Sequence, residues 1–145
     1  MTPARTEQLH ASAVSVDGRG CLITGPSGSG KSTLGLEIMA LGGDLIADDR
    51  VDLARDGDRI LLSAPPVLKG LIEARGIGII RAADSVACAP CAYVVDLART
   101  AERLPSPQFR DLLGIPCPVI LGASRHGLAA AIVVLLRSHG TIALD

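Results

Sequence analysis

The stretch from Gly25 to Ser32 constrains this chain more than any other, because it matches the phosphate-binding pattern G-x-x-x-x-G-K-[ST]. Glycines let the backbone curl so that successive N–H groups point at phosphate oxygens. Lys31 would contact the β- and γ-phosphates, and Ser32 would offer its hydroxyl to Mg²⁺. The pattern predicts that a nucleotide or polyphosphate binds to the whole loop: Gly25, Pro26, Ser27, Gly28, Ser29, Gly30, Lys31 and Ser32.

The residues on both sides of this loop favour the same interpretation. Cys21 to Thr24 is a short apolar run typical of a strand, and Ser32 to Leu41 has apolar residues at helical spacing. A strand, a loop and a helix in that order are the setting that a phosphate loop requires. The alternative, a glycine-rich turn before an ordinary helix, is disfavoured because Lys31 is one of only two lysines in the chain.

Composition excludes several classes of function. The chain has 145 residues, 48% of them hydrophobic, which predicts one globular α/β domain over residues 1–145. A formal net charge of −1 and an aromatic content of 1% argue against nucleic-acid binding. The longest apolar run, Leu128 to Leu136, is too short to span a bilayer, and the N-terminus has no signal-peptide core. We therefore expect a cytoplasmic protein.

The four cysteines include one C-x-x-C pair, Cys88 and Cys91. A zinc site would need a second pair or nearby histidines, and a redox site would need a thioredoxin-like context. Because neither is visible, we interpret these residues as reduced thiols.

Acidic residues follow two predicted strands. Asp48 and Asp49 come after the apolar run Asp44 to Ala47, and Asp96 ends the run Ala92 to Asp96. A carboxylate at the end of a buried strand, beside a phosphate loop, suits either Mg²⁺ binding or a catalytic base. Adjacent carboxylates point in different directions, so the residues alone leave both roles open among the three.

The remaining predicted elements follow from hydrophobic patterning and turn residues. We expect a frayed segment from Met1 to Gln8 and a turn at Asp17 and Gly18. We also expect strands at His10 to Val16, Val51 to Leu53, Ile60 to Ser63 and Pro116 to Leu121, and helices at Leu68 to Ala74 and Gly127 to Arg137.

Four pieces of the sequence together resemble the HPr kinase/phosphorylases, bacterial enzymes that phosphorylate a seryl residue of the phosphocarrier protein HPr. The pieces are His10, Gly25 to Ser32, Leu45 to Val51, and Glu73 to Ile80. The resemblance implies a P-loop kinase core with a mixed β-sheet, similar also to the nucleotide core of phosphoenolpyruvate carboxykinase. It further implies ATP and Mg²⁺ as cofactors, HPr as partner, a role in phosphotransferase-system regulation, and a homo-hexamer.

The resemblance also implies roles for individual residues. His10 is similar to the family's active-site histidine, and Lys31 and Ser32 to its phosphate and Mg²⁺ contacts. Asp49 resembles the aspartate that accepts the seryl proton, and Glu73 resembles a second Mg²⁺ contact. Two further matches are a substrate segment of Arg75, Gly76, Ile77 and Gly78, and a late active-site arginine at Arg103.

The sequence departs from the family's pattern in four places, two of which are single residues: Thr33 stands where the family usually has Glu, and Ala74 where it normally has a β-branched residue. The family's long form carries an N-terminal domain that this sequence lacks, so the chain resembles a short form with the catalytic domain only. The family's late Pro-Val-x-Pro-Gly-Arg segment is present only as Pro118 to Ala123. Because that arginine is associated with the reverse reaction, we expect phosphorolysis to be weak.

Two other functions use the same loop. A small-molecule kinase or NTPase would need a basic pocket for an anionic acceptor, and the arginines of this chain are scattered. A nucleotide-sensing regulator without turnover would not need the set His10, Asp49 and Glu73. We therefore favour a protein kinase.

Overall fold

The computed structural model describes residues 5–103, 105–137 and 140–143. Within them, eleven strands, two α-helices and one short 3-10 turn, Pro66–Leu68, follow one another along the chain. The strands and helices are β1 Thr6–Leu9, β2 Ser12–Val16, β3 Arg19–Thr24, α1 Lys31–Ala40, β4 Asp44–Ala47, β5 Val51–Asp56, β6 Arg59–Ser63, β7 Leu71–Ala74, β8 Gly78–Arg81, β9 Cys88–Asp96, β10 Phe109–Leu112, β11 Ile115–Leu121 and α2 Leu128–Leu136.

A mixed sheet of nine strands forms the centre of the fold, in the order β1-β5-β6-β9-β3-β2-β4, with β11 paired to β9 and β10 to β11. The first half of β9 pairs antiparallel with β6, and its second half runs parallel to β3 and β11. The register sets Asp96 opposite both Thr24 and Leu121, so three parallel strands end at one edge of the sheet. Ligands of α/β proteins bind outside such carboxyl ends. The predicted α/β class with a mixed sheet is confirmed.

The two faces of the sheet are covered differently. Successive side chains of β3 point to opposite faces, so that Leu22 packs into one apolar cluster and Ile23 into another. Both helices cover the second face, where Ile38 of α1 and Ile132 of α2 are buried. Neither α1 nor α2 nor any other described helix is long and apolar enough to cross a membrane.

Most of the predicted elements are confirmed, including the strand before the phosphate loop, the helix after it and the strand Asp44–Ala47. The predicted turn at Asp17 and Gly18 joins β2 to β3, and both residues have positive φ, 51° and 78°. Such φ values are typical of the tight turns whose twist matches that of antiparallel strands.

Two predictions are wrong. Residues 1–4 of the segment predicted to be frayed lie outside the described residues, but its described part contains most of β1, which pairs antiparallel with β5 from Thr6 to Leu9. The helix predicted over Leu68 to Ala74 is instead the end of the 3-10 turn followed by β7. Gly70 has a φ of 78°, which interrupts a helix, and Ile72 and Ala74 are buried while Glu73 between them is exposed, which is the period of a strand.

The cysteines are free thiols in this fold. Full burial raises the pKa of Cys21 to about 12. The sulfur atoms of Cys91 and Cys117 lie 3.5 Å apart, and the hydrogen bond between them lowers the pKa of Cys117. Cys21 on β3 and Cys117 on β11 are thus buried, Cys91 on β9 is partly buried, and Cys88 at the start of β9 is exposed.

Candidate active site

The phosphate loop turns sharply between the end of β3 and the start of α1. Gly28 and Gly30 have φ values of 82° and 98°, which favour glycine. The Ser29 N–H donates to the Pro26 carbonyl at 3.1 Å, and the first helical bond runs from the Leu34 N–H to the Gly30 carbonyl at 2.9 Å. The glycines predicted from the sequence are therefore needed for the path of the backbone.

No side chain caps or neutralises the N-terminus of α1, which directly follows the phosphate loop. Gly30 occupies the capping position, no side-chain hydrogen bond caps the helix, and its first turn contains no acidic residue. The first N–H groups of a helix have no partner within the helix, and the helix dipole is positive at this end. This end of α1 is consequently suited to bind an anion.

Lys31 adds a fixed positive charge to the same place. Its side chain is largely buried, and its Nζ donates to the carbonyls of Gly25 at 2.8 Å and Pro26 at 3.1 Å. The ammonium group is thus held against the two residues that begin the loop, where phosphate oxygens would come within its reach.

Asp48 connects three elements around the loop. Its Oδ1 accepts hydrogen bonds from the hydroxyls of Ser12 at 2.6 Å and Ser32 at 2.7 Å, and its Oδ2 accepts one from the Glu73 N–H at 3.0 Å. The sheet explains the contact: Ala13 of β2 lies opposite Ala47 of β4, so the next residues bring Ser12 beside Asp48. Asp48 is buried, and it fixes the hydroxyl of the loop's last residue.

The same pairing of β2 with β4 brings His10 to Asp49. The His10 Nε2 lies 3.1 Å from the Asp49 Oδ1, and the side chains are 46% and 60% exposed. Asp49 has a φ of 70°, a left-handed conformation that is uncommon outside glycine. The turn directs Asp48 into the protein and leaves Asp49 at the surface with one oxygen paired to the imidazole.

Glu73 and Arg75 reach the site from the hairpin of β7 and β8, a separate sheet of two strands. Its turn is closed by a hydrogen bond from the Ile77 N–H to the Ala74 carbonyl at 3.0 Å. Gly76 and Gly78 have positive φ, and the side chain of Ile77 is 81% exposed at the tip. The Glu73 carboxylate and the Arg75 guanidinium therefore line the site, while the apolar side chain of Ile77 is exposed at the tip of the hairpin.

These side chains surround one cavity of about 380 Å³. Its walls are His10, Ser27, Gly28, Gly30, Lys31, Ser32, Thr33, Asp48, Asp49, Glu73 and Arg75. Most of the predicted site residues are therefore together. Of the other loop residues, Gly25 and Pro26 bind Lys31, and Ser29 faces a second cavity on the opposite side of the loop.

Two predicted candidates lie elsewhere. Arg103 lines a different cavity, of about 220 Å³, together with Arg125 and His126. Asp96, one of three candidate metal or base residues, pairs with Arg99 at 2.9 Å and accepts a hydrogen bond from the Ala98 N–H. The structure thus separates Asp96 from Asp48 and Asp49.

Sequence reasoning missed two features of the site. Ser12 was not singled out, although a serine within an apolar strand is a signal of a buried hydrogen bond, and Ser12 is 1% exposed. The pairing of His10 with Asp49 was also missed, because residues so far apart in the chain are brought together only by the register of β2 and β4.

The donor set suits Mg²⁺ shared with a phosphate. Among the described residues, no group of three or more His, Cys, Asp or Glu side chains is placed to hold a metal ion by itself. Mg²⁺ at phosphoryl-transfer sites takes one or two carboxylates together with phosphate oxygens. The Ser32 hydroxyl, already bonded to Asp48, and the Glu73 side chain in the cavity wall are oxygen donors of that kind.

Residues 2–87 match the family model described as the HPr Serine kinase C-terminal domain. Over 78 residues, the chain is 51% identical to an HPr kinase/phosphorylase of Limosilactobacillus reuteri, an alignment that covers 53% of this chain and 24% of that protein. It is also 36% identical over 146 aligned positions to an HPr kinase/phosphorylase of Cupriavidus necator, covering 92% of this chain and 45% of that protein. The chain therefore spans less than half the length of these curated relatives.

A solved structure has the same fold. The HPr(Ser) kinase/phosphatase from Coxiella burnetii superimposes with a TM-score of 0.77 and 30% sequence identity. The superposition covers 89% of this chain and 93% of that chain. The arrangement of the sheet, the loop and the hairpin is therefore one that a solved protein also has.

Replacing Asp48 by alanine should destabilise the fold more than replacing its neighbour Asp49. Asp48→Ala leaves two hydroxyls and one N–H without their buried acceptor, which should lower the free energy of unfolding by about 2 kcal/mol. Asp49→Ala removes one exposed ion pair and should cost less than about 1 kcal/mol. Urea denaturation of both variants measures the difference, and equal losses would contradict a structural role for Asp48.

Proposed function

This chain belongs to the HPr serine kinase C-terminal domain family, and we propose that it transfers the γ-phosphoryl group of ATP, with Mg²⁺, to a seryl residue of HPr. The observation that carries the proposal is the placement of Asp49, paired with His10, in the wall of the cavity that also contains Lys31. A candidate base thus faces a phosphate-binding loop across one cavity. The four free cysteines support a reducing, cytoplasmic setting.

The donor side of the proposed reaction consists of the loop and the start of α1. The N–H groups at the N-terminus of α1 and the ammonium of Lys31 would hold the phosphates and offset the negative charge of the transferring group. Ser32 and Glu73 would hold Mg²⁺, while Asp48 keeps the Ser32 hydroxyl in place. When bound, Mg²⁺ supplies charge neutralisation at the phosphate oxygens.

The acceptor side consists of Asp49, His10 and the hairpin. One carboxylate oxygen of Asp49 is 3.1 Å from the His10 imidazole, and the other would take the proton of the seryl hydroxyl. His10 is a positioning residue, because it holds the carboxylate that meets the serine. Arg75 in the cavity wall and the exposed Ile77 at the hairpin tip would contact the protein substrate.

The test is transfer of the γ-phosphoryl group of radiolabelled ATP to purified HPr by the unmodified chain, compared with Lys31→Met. Methionine keeps the apolar stem of Lys31 and removes its charge, so the transfer rate should fall by about a hundredfold or more. Lys69→Met, at the chain's other lysine, which is exposed, is the control and should retain the rate. If the folded Lys31→Met protein is active, the phosphate loop is not the donor site.

Asp49→Asn should separate nucleotide binding from transfer. The amide keeps the shape of the side chain and loses the proton acceptor, so the transfer rate should fall about a hundredfold or more while affinity for ATP is retained. Asp96→Asn is the matched control, because Asp96 pairs with Arg99 outside the cavity. Calorimetric titration with ATP and the HPr assay give the two quantities. Full transfer by Asp49→Asn would exclude this residue as the base.

The proposed enzyme should be weak in the reverse direction. Holding inorganic phosphate in line with a phosphoserine requires donors of its own, and the family's arginine position is Ala123 in this chain. Arg125, two residues further on, lines the second and third cavities rather than the cavity of Asp49. Release of HPr from its seryl-phosphorylated form at high phosphate, set against the forward rate, measures the asymmetry. Equal rates would contradict it.

A further inference from the structure

We propose that the second cavity, of about 510 Å³ on the other side of the phosphate loop, holds the nucleoside of the triphosphate substrate. Arg125 would lie against the base, and Glu37 would accept hydrogen bonds from the ribose hydroxyls. The inference rests on the proposed function in one respect, that the donor is a nucleoside triphosphate.

The two cavities share only part of the loop. Gly30 and Thr33 line both, whereas Asp48 and Asp49 line the first and Leu97 the second. A triphosphate wrapped around the N-terminus of α1 would have its γ-phosphoryl group on the side of Asp49. Its α-phosphate, and the nucleoside attached to it, would then extend towards the second cavity.

The second cavity lies at the carboxyl ends of the parallel strands. The backbone pairing continues beyond these strands, because the Leu97 N–H donates to the Thr24 carbonyl at 2.8 Å and the Gly122 N–H to the Asp96 carbonyl at 2.9 Å. Leu97 and Gly122 both line the cavity and are fixed by these bonds. One wall is thus rigid and lies at the edge where α/β proteins bind nucleotides.

The segment between β11 and α2 forms the opposite wall. Four consecutive residues, Ser124 to Gly127, line the cavity, and both ends of this run have positive φ, 57° and 72°. For serine this conformation is strained, and such strain concentrates at ligand clamps. At Gly122 a Cβ atom would come 2.6 Å from the Leu128 Cδ2, so a larger residue there would require the Leu128 side chain to shift.

The lining of the cavity matches a nucleoside in chemistry. Leu34, Leu97 and Leu128 supply apolar surface, and Glu37, Arg125 and His126 supply polar groups. The described walls of the cavity contain no Phe, Tyr or Trp, so the flat groups that can stack on a base are the Arg125 guanidinium and the His126 imidazole, and we assign the contact to Arg125 because its charge attracts the π-face of a base. Its Nη2 donates to the Glu102 carbonyl at 3.3 Å, which restrains the guanidinium.

The experiment compares binding of ATP with binding of inorganic tripolyphosphate, which has the phosphates and no nucleoside. Calorimetric titration of Mg²⁺ complexes would be done with the unmodified chain, Arg125→Ala, Glu37→Gln and, as control, Arg110→Ala at an exposed arginine outside all three cavities. We expect each of the first two variants to bind ATP about tenfold more weakly, the loss of one hydrogen bond or stacking contact of a charged group. Binding of tripolyphosphate should not change, and Arg110→Ala should bind both ligands normally.

Three results would overturn the inference. The first is equal affinity of the unmodified chain for ATP and tripolyphosphate. The second is an equal decrease in affinity for both ligands in the variants, and the third is unchanged affinity for ATP in both variants. The outcome is independent of the proposed transfer reaction. Suppose that Arg125→Ala has lower affinity for ATP but unchanged affinity for tripolyphosphate, and that the unmodified chain does not phosphorylate HPr. This result would support the nucleoside site and contradict the proposed function.

Discussion

The buried carboxylate of Asp48 is the interaction on which the rest of the site depends. It joins β2 through Ser12, the phosphate loop through Ser32 and the hairpin through the Glu73 N–H. A buried carboxylate is stable only where its oxygens are hydrogen-bonded, and here three donors meet that requirement. Because those donors come from three separate elements, their relative positions are fixed by the need to satisfy one side chain.

Local sequence signals predicted the centre of the fold well. The phosphate loop, its preceding strand and its following helix have strong signals, since glycine, proline and apolar spacing act within a few residues. The hairpin that contains Glu73 and Arg75 was harder to predict. Its short run of apolar residues after Pro66 suits a helix as well as a strand, and Gly70 decides between them through its positive φ.

Contacts between distant residues could not be predicted from such signals. That Asp48 points inwards and Asp49 outwards depends on a left-handed turn at Asp49 and on the register of β2 against β4. Neither is encoded by residue type at that position. Family resemblance supplied a separate role for His10 and for Asp49 but not their contact, whereas the second cavity, built from three segments far apart in the chain, had no sequence signal at all.

The hairpin of β7 and β8 is attached differently from the rest of the site, since it hydrogen-bonds to no strand of the main sheet in the described residues. An isolated hairpin is marginally stable in water, and this one is supported by buried Ile72, which packs near Gly35 of α1, by the bond to Asp48, and by hydrogen bonds that join the segment after β8 to Leu45 of β4. Segments outside a central sheet open locally at a smaller cost in free energy than the central strands do. Rigidity is therefore unequal within the site: the phosphate loop follows a central strand of the main sheet, and the hairpin that would contact a protein substrate lies outside that sheet, where local opening costs less.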